Sequence, residues 1–166
     1  MIYRIVPIAK EHVAGFHTAV DSVAKEHRYL SMLEAPPLDE VRKFVAGNIR
    51  IGAPQFVAIA DETVVGWCDA VPKARKTLQH SAVLGMGVIE AYRRQGIGKT
   101  LLEATLQAAK AKGLTRIELT VRVDNNAARQ LYAAFGFVSE GLCRRYSCIK
   151  GEYTDCYLMA LLPEAA

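Results

Sequence analysis

Apolar residues recur along this chain at two different spacings, and the switches between them outline the elements. Tyr3 to Pro7 suits a short first strand. Lys10 to Tyr29 then carries Val13, Phe16, Val20, Val23 and Ala24 at helical spacing, and Leu38 to Asn48 repeats the pattern with Val41, Phe44 and Val45. The proline pair Pro36-Pro37 separates these two predicted helices. Gln55 to Ala60 and Val64 to Val71 flank Asp61-Glu62-Thr63, which reads as a hairpin turn, and Ser81 to Ile89 supplies a further strand, so these three should form an antiparallel meander. From Gly96 the period turns helical. Ile97, Leu101, Leu102, Thr105, Ala108 and Ala109 make one face, Lys99, Glu103, Gln107 and Lys110 the other, with Gly113 as the stop. Thr115 to Val123 is rich in β-branched residues, and Asp124 or Asn125 caps a helix through Phe135 that Gly136 ends. The strand from Phe137 onward and the strand Tyr153 to Leu162 close the chain, joined by the hairpin Ile149-Lys150-Gly151-Glu152. The expected fold is α+β (α/β mixed), a mixed, mostly antiparallel sheet of about seven strands with helices on both faces.

Composition narrows the class. With 166 residues, about half of them apolar, the chain fills one sizeable core, and residues 1–166 are expected to form one domain without a linker. No charged segment leads into an apolar block at the start and no run of eighteen apolar residues occurs, so neither a signal peptide nor a membrane span is expected, and the cytoplasm is the expected location. Cys68, Cys143, Cys148 and Cys156 form no C-x-x-C pair, and His12, His17, His27 and His80 lack ligand spacing, so no metal is expected. The net charge of +4 is modest and spread out except for a knot at Arg93, Arg94 and Lys99. A nucleic-acid surface needs many phosphate contacts; one compact anion suffices for the knot.

That knot lies in Val88-Ile89-Glu90-Ala91-Tyr92-Arg93-Arg94-Gln95-Gly96-Ile97-Gly98-Lys99, a strand running through a basic turn into a glycine-led helix. The first helical N–H groups lack intrahelical partners and the helix dipole favours an anion, so a diphosphate fits; a plain strand-to-helix turn would use the same glycines for backbone freedom. A P-loop would need glycine at Arg93. The dinucleotide fingerprint would need it at Glu90 or at Leu101.

Arg93-Arg94-Gln95-Gly96-Ile97-Gly98 resembles the R/Q-x-x-G-x-G/A signature of the GCN5-related N-acetyltransferases, and Asn125-Asn126-Ala127-Ala128-Arg129-Gln130-Leu131-Tyr132-Ala133-Ala134-Phe135-Gly136-Phe137 resembles that family's N-x-x-A-x-x-L-Y-x-x-x-G-F segment. The likeness covers roughly Phe56 to Leu162. Arg116 to Val121 through Gly151-Glu152-Tyr153-Thr154-Asp155 is similar to bacterial L-amino-acid N-acetyltransferases. The resemblance implies that acetyl-coenzyme A is the acyl donor and that the backbone of Met86, Gly87 and Val88 pairs with its pantetheine arm. It also implies that Arg93, Arg94, Gln95, Gly96, Ile97, Gly98 and Lys99 hold the pyrophosphate. Asn125 would contact the cofactor and Tyr132 would lie near its sulfur, although an N-cap and a core aromatic explain those two residues equally well. Gly85 and Gly87 suit close ligand approach inside a strand, or are simply poor strand sequence.

The implied reaction is direct attack by a neutral amine on the thioester, with N–H groups of the Gly85 to Val88 strand polarising the carbonyl and Tyr132 protonating the leaving thiolate. Family members that use a carboxylate on this strand often place it near Val83, which cannot act as a base. Glu118 on the neighbouring strand and His80 are the remaining candidates. An α-amino group near pKa ~8 is partly neutral at physiological pH whereas a lysine amine near ~10.4 is not, so lack of a strong base favours α-amino substrates. Substrate selection is expected from Glu26, Arg28, Tyr29 and Glu34 and from Arg144, Tyr146 and Asp155, which a solvated charged surface also explains. Three functions stay open: acetylation of free L-amino acids or similar small amines, acetylation of protein N-termini, and a non-catalytic coenzyme A-binding module. A homodimer is the assembly considered, with neither nucleic acid nor membrane as partner.

Overall fold

The computed structural model describes residues 2–164. Its strands are β1 (Arg4–Pro7), β2 (Gln55–Ala60), β3 (Thr63–Pro72), β4 (Ser81–Val88), β5 (Arg116–Arg122), β6 (Val138–Ile149) and β7 (Glu152–Leu161). Its α-helices are α1 (Val13–Ala24), α2 (Leu38–Ile51), α3 (Ile97–Ala111) and α4 (Asn126–Ala134). All the strands join one seven-stranded sheet in the order β1-β2-β3-β4-β5-β7-β6, antiparallel everywhere except between β4 and β5.

Turn chemistry sets the register. Asp61 (φ 48°) and Glu62 (φ 59°) both adopt positive φ, as a two-residue turn matching the twist of β2 and β3 requires, and Lys150 with Gly151 does the same between β6 and β7. Gly113 and Gly136 end α3 and α4 at φ 82° and 91°, a left-handed stop that glycine adopts without a Cβ clash. The first helix is shorter than its apolar spacing predicts. It starts after a 3₁₀ turn at Lys10–His12 and ends at Ala24, because the chain reverses at His27 (φ 52°) and the Asp21 carboxylate takes the Ala35 N–H at 3.0 Å, drawing the following loop back across the helix. The second helix runs past Asn48 to Ile51, capped by left-handed Gly52.

Each sheet face has its own core. On one, α1 and α2 bury Phe16, Val20, Val23, Val41 and Val45 against Val57, Ile59, Val64 and Trp67. On the other, Ile97, Leu101 and Leu102 of α3 and Tyr132 of α4 pack on Val65, Cys68, Ala82, Leu84, Ile117 and Leu119. Strand alternation therefore places Trp67 and Asp69 on the α1/α2 face and Cys68 and Ala70 on the α3/α4 face. Among the described residues no helix is long and apolar enough to cross a membrane.

Gly87 faces Trp67 directly. A Cβ at residue 87 would lie 2.4 Å from the indole, and Trp67 is itself wedged edge-on against Phe16 with ring centres 5.9 Å apart. Gly87→Ala is expected to destabilise the protein by about 1–3 kcal/mol, the usual cost of overpacking a filled core. Denaturant titration checks this: the midpoint should fall with the slope unchanged, and an unchanged midpoint would show that the indole yields freely.

Candidate active site

The parallel pairing of β4 with β5 covers only Ser81 to Val83 against Arg116 to Glu118. Beyond it the strands part, and Leu119 to Arg122 pair with β7 alone. The alternate residues Leu84, Met86 and Val88 thus turn backbone groups toward an open cleft, while Gly85 and Gly87 bond β3 and the Val88 carbonyl is taken by Arg93. Such groups seek a partner, and an extended amide-bearing chain can supply one.

The mouth of the cleft is the turn from β4 into α3. Arg94 (φ 59°) and Gly96 (φ 83°) are left-handed, and Thr100 makes the first α-helical bond, to Gly96 O, which leaves the N–H groups of Ile97, Gly98 and Lys99 free of intrahelical partners. Gly98 borders the cleft, since a Cβ there would lie 3.5 Å from Met86 and 3.8 Å from Leu131 and Val88. Arg94 and Lys99 are exposed, and neither makes an ion pair among the described residues. A row of free N–H groups, an adjacent small residue and two unpaired cations fit a diphosphate.

Arg93 is differently employed. Its Nε donates to Val88 O at 2.8 Å, its two terminal nitrogens grip the Glu26 carboxylate, and its guanidinium stacks 4.6 Å from the Tyr29 ring centre. The hydrogen bonds it donates to Glu26 raise its pKa further, so the charge is permanent. Arg93 thereby ties the end of β4 to the loop after α1. Glu26, expected on the substrate side, is consumed by that tie, while Arg28 stays exposed beside Tyr29. Gln95 donates to Ala91 O and stiffens the same turn.

Tyr132 lies on α4, against Phe137 at 5.7 Å between ring centres, and is 7% exposed. Its hydroxyl has no hydrogen-bond partner among the described residues, yet it is not one of the fully enclosed unpartnered polar atoms, which are Gln55 Nε2 and Ser81 Oγ. The hydroxyl therefore keeps a small accessible surface. Burial, with a smaller contribution from Cys68, pushes the phenol above its ordinary pKa and keeps it protonated. Asn125 caps α4 by accepting the Ala128 N–H at 3.2 Å.

Glu118 does not stand free. Burial alone would raise its carboxyl, but Lys73 and Arg116 (2.9 Å) hydrogen-bond to it and hold it below the ordinary range. A carboxylate so stabilised is a poor proton acceptor. His80 is exposed at the start of β4, its carbonyl taking the N–H groups of Thr115 and Arg116. Asp155 accepts the Arg145 N–H at 2.7 Å and so holds the bulge of β6 in place, while Tyr146 accepts from Thr120 at 3.3 Å across β7. A cavity of about 510 Å³ is lined by Arg144, Arg145 and Asp155.

One acid was not expected from the sequence. Asp69, on β3, is 8% exposed and lies on the α1/α2 face, its Oδ1 3.4 Å from the position a Gly85 Cβ would occupy. Burial pushes its carboxyl up to about 7. The signal that could have found it is a lone acid in Val64 to Val71, a run otherwise apolar or small on both faces. Among the described residues, no three His, Cys, Asp or Glu side chains are grouped to hold a metal.

A sheet that parts between its parallel strands, with an anion-binding turn at the opening, is the layout of an acyltransferase that threads a long thioester between two strands. The sequence profile of the acetyltransferase (GNAT) family matches residues 13–137, and the chain belongs to that family. It is 35% identical over 139 residues to the L-amino acid N-acetyltransferase AaaT of Escherichia coli (strain K12), covering 82% of this chain and 85% of that one. Over 152 residues it is 36% identical to an N-alpha-acetyltransferase of Sulfurisphaera tokodaii, covering 86% and 87%. The solved structure of yncA from Salmonella typhimurium with its cofactor acetyl-CoA superposes with a TM-score of 0.92 over 100% of this chain and 97% of that one, at 17% identity. The chain is thus an acyltransferase, and the fold expected from its sequence is the one it adopts.

Proposed function

We propose that this protein transfers acetyl from acetyl-coenzyme A to the α-amino group of a free L-amino acid or a similar small amine. The observation that carries the donor side is the parting of β4 from β5 beyond Val83, opening directly onto the free N–H groups at the start of α3. Met86 and Val88 would pair with the pantetheine arm, Gly87 between them being bonded to β3; Gly96, Ile97 and Gly98 would hold the pyrophosphate through backbone N–H groups, with Arg94 and Lys99 adding charge. Arg93 and Gln95 serve by fixing the turn, and Asn125 by fixing the start of α4 beside the cleft. Bound acetyl-coenzyme A supplies an activated acyl carbon. The N–H groups of β4 then orient its carbonyl, and Tyr132 delivers a proton to the departing sulfur.

Support for the amino-acid acceptor comes from charge as well as from the Escherichia coli relative. Glu26 is spent on Arg93 and Asp155 on the β6 bulge, which leaves Glu34 against Arg28 and Arg144, all three without an ion-pair partner among the described residues. Unpaired arginines favour a carboxylate-bearing acceptor over a polycation. Tyr146 would pack beside such a ligand. Acetylation of a protein N-terminus is the second reading, favoured by the Sulfurisphaera tokodaii relative. A homodimer is our proposed assembly; the exposed edge strand β6, with Leu142 and Tyr146 about half exposed, offers a surface for it.

Steady-state kinetics on phenylalanine, methionine, spermidine and an N-terminal peptide separate these readings. We expect the highest kcat/KM for a free amino acid, rising through neutral pH. A clear preference for the peptide or for spermidine would overturn the acceptor and leave the acetyl transfer standing.

A further inference from the structure

We propose that Asp69 is the proton acceptor for the incoming amine, reaching it across Gly85 on the face of the sheet opposite Tyr132. The inference rests on the acetyltransferase reading above and deepens it. Asp69 pairs with Gly85 across β3 and β4, two residues beyond the last contact of β4 with β5, so it stands beside the stretch where the cleft opens. Glycine at residue 85 matters because a side chain there would cover the carboxylate, whose Oδ1 lies 3.4 Å from the missing Cβ. Val83 continues the same face and is 46% exposed, which leaves an approach from solvent. Tyr132 packs in the core on the other face, so an acid and a base would flank the reacting atoms from opposite sides.

The surroundings of Asp69 are arranged for a group that exchanges a proton. Its carboxylate has no hydrogen-bond donor among the described residues, and it is absent from the fully enclosed unpartnered atoms, so it keeps an opening. Gln55 pairs with Asp69 across β2 and β3 and therefore shares its face. It is 3% exposed; Asn48 donates to its Oε1 at 2.9 Å, which leaves Nε2 buried without a partner. The Asn48–Gln55 pair thus sets a buried neutral amide on the same face of the sheet as the carboxylate. The charged groups near this face are few. Lys73, just past the end of β3, is bound to Glu118; Gln55 of β2, Asn48 of α2 and Gly85 of β4 are neutral; the Cys68 thiol lies on the other face. Burial is accordingly the sole cause of the raised Asp69 pKa. A purely structural residue at this position would be cheaper as asparagine, since a buried carboxylate without a donor is costly.

The proton balance closes. The substrate ammonium gives one proton to Asp69, and the freed nitrogen lone pair forms the new C–N bond at the acetyl carbon. The C–S bond breaks, and the sulfur takes the Tyr132 proton. The acylated nitrogen loses its second proton to the Tyr132 oxygen, and Asp69 passes its own to water. One amide, one thiol and one proton result.

The test compares wild type with Asp69→Asn. In wild type free of ligand, carbon-13 NMR should show the Asp69 carboxyl titrating near pH 7. With a good amino-acid acceptor, Asp69→Asn should lose kcat/KM by at least about tenfold at pH 7 and recover as pH rises through the pKa of the amine, with acetyl-coenzyme A affinity unchanged. Because the folded-state pKa is raised, the ionised carboxylate penalises the native state as pH climbs from about 4 to 7, so Asp69→Asn should melt above wild type at pH 8. A merely structural role predicts a loss equal at all pH values, or none, and either result overturns the assignment. Failure of wild type to acetylate any amine would instead overturn the underlying reading.

Discussion

Gly98→Asp is expected to weaken acetyl-coenzyme A binding by roughly a thousandfold while leaving the protein folded. The residue borders the cleft between β4 and α4, and its backbone N–H is one of the donors left free at the start of α3. A carboxylate about 4 Å from a phosphate, at an effective dielectric near 20, costs about 4 kcal/mol per charge pair, which corresponds to about three orders of magnitude in affinity. Folding should tolerate the change. The nearest atoms to a new Cβ are at ordinary contact distances, 3.5 Å and beyond, and an acid in the first turn favours the helix dipole. Gly98→Ala supplies the control, since it adds the Cβ without the charge and should bind far better than the aspartate variant. Titration calorimetry on both variants reads the effect, and a folded Gly98→Asp protein with wild-type affinity would remove the pyrophosphate from this turn.

For Tyr132→Phe the expected loss falls on kcat, on the order of 10²–10⁴, the usual contribution of a positioned general acid. Dissociation of acetyl-coenzyme A should hardly change. The ring keeps its place against Phe137, and the hydroxyl that is removed has no hydrogen-bond partner among the described residues, so the deletion orphans nothing. Burial raises the phenol pKa, so Tyr132 stays in its donor form through neutral and mildly alkaline pH, and no alkaline limb below about pH 10 should belong to it. Single-turnover measurements isolate the chemical step. A fall of less than about threefold would end the assignment of Tyr132 as proton donor.

What the sequence showed and what it hid divide along the range of the interactions involved. The hairpin at Asp61-Glu62 and the stops at Gly113 and Gly136 were legible because positive φ is a local demand that leaves its mark within a few residues. The α3 and α4 faces were legible for the same reason, since their apolar spacing is periodic. The end of α1 was not. Its apolar pattern runs on past Ala24, but the reversal at His27 and the Asp21 contact with Ala35 belong to a loop that the periodicity does not describe. Among the candidate site residues, the sequence grouped Arg93 with the anion-binding knot and Glu26 with the acceptor side. Folding brings these two together across 67 positions of chain, and no local pattern announces a pair so distant. Glu118 reads as a candidate base from its strand alone; Lys73, 45 residues earlier, pairs with it and supplies the reason it is a poor one. Asp69 was hidden in the opposite way, inside a run that scores as a fully buried strand, where its opening toward Gly85 becomes visible only once β3 and β4 are paired.

The central claim is that the donor lies between β4 and β5 with its diphosphate on the first turn of α3. Amide hydrogen exchange with and without acetyl-coenzyme A tests it without requiring the acceptor. The account predicts new protection concentrated in residues 84–88 and 96–99, with little change in β6 and α2. Saturating acetyl-coenzyme A that protects some other surface, and leaves those two segments exchanging as in the free protein, would contradict it.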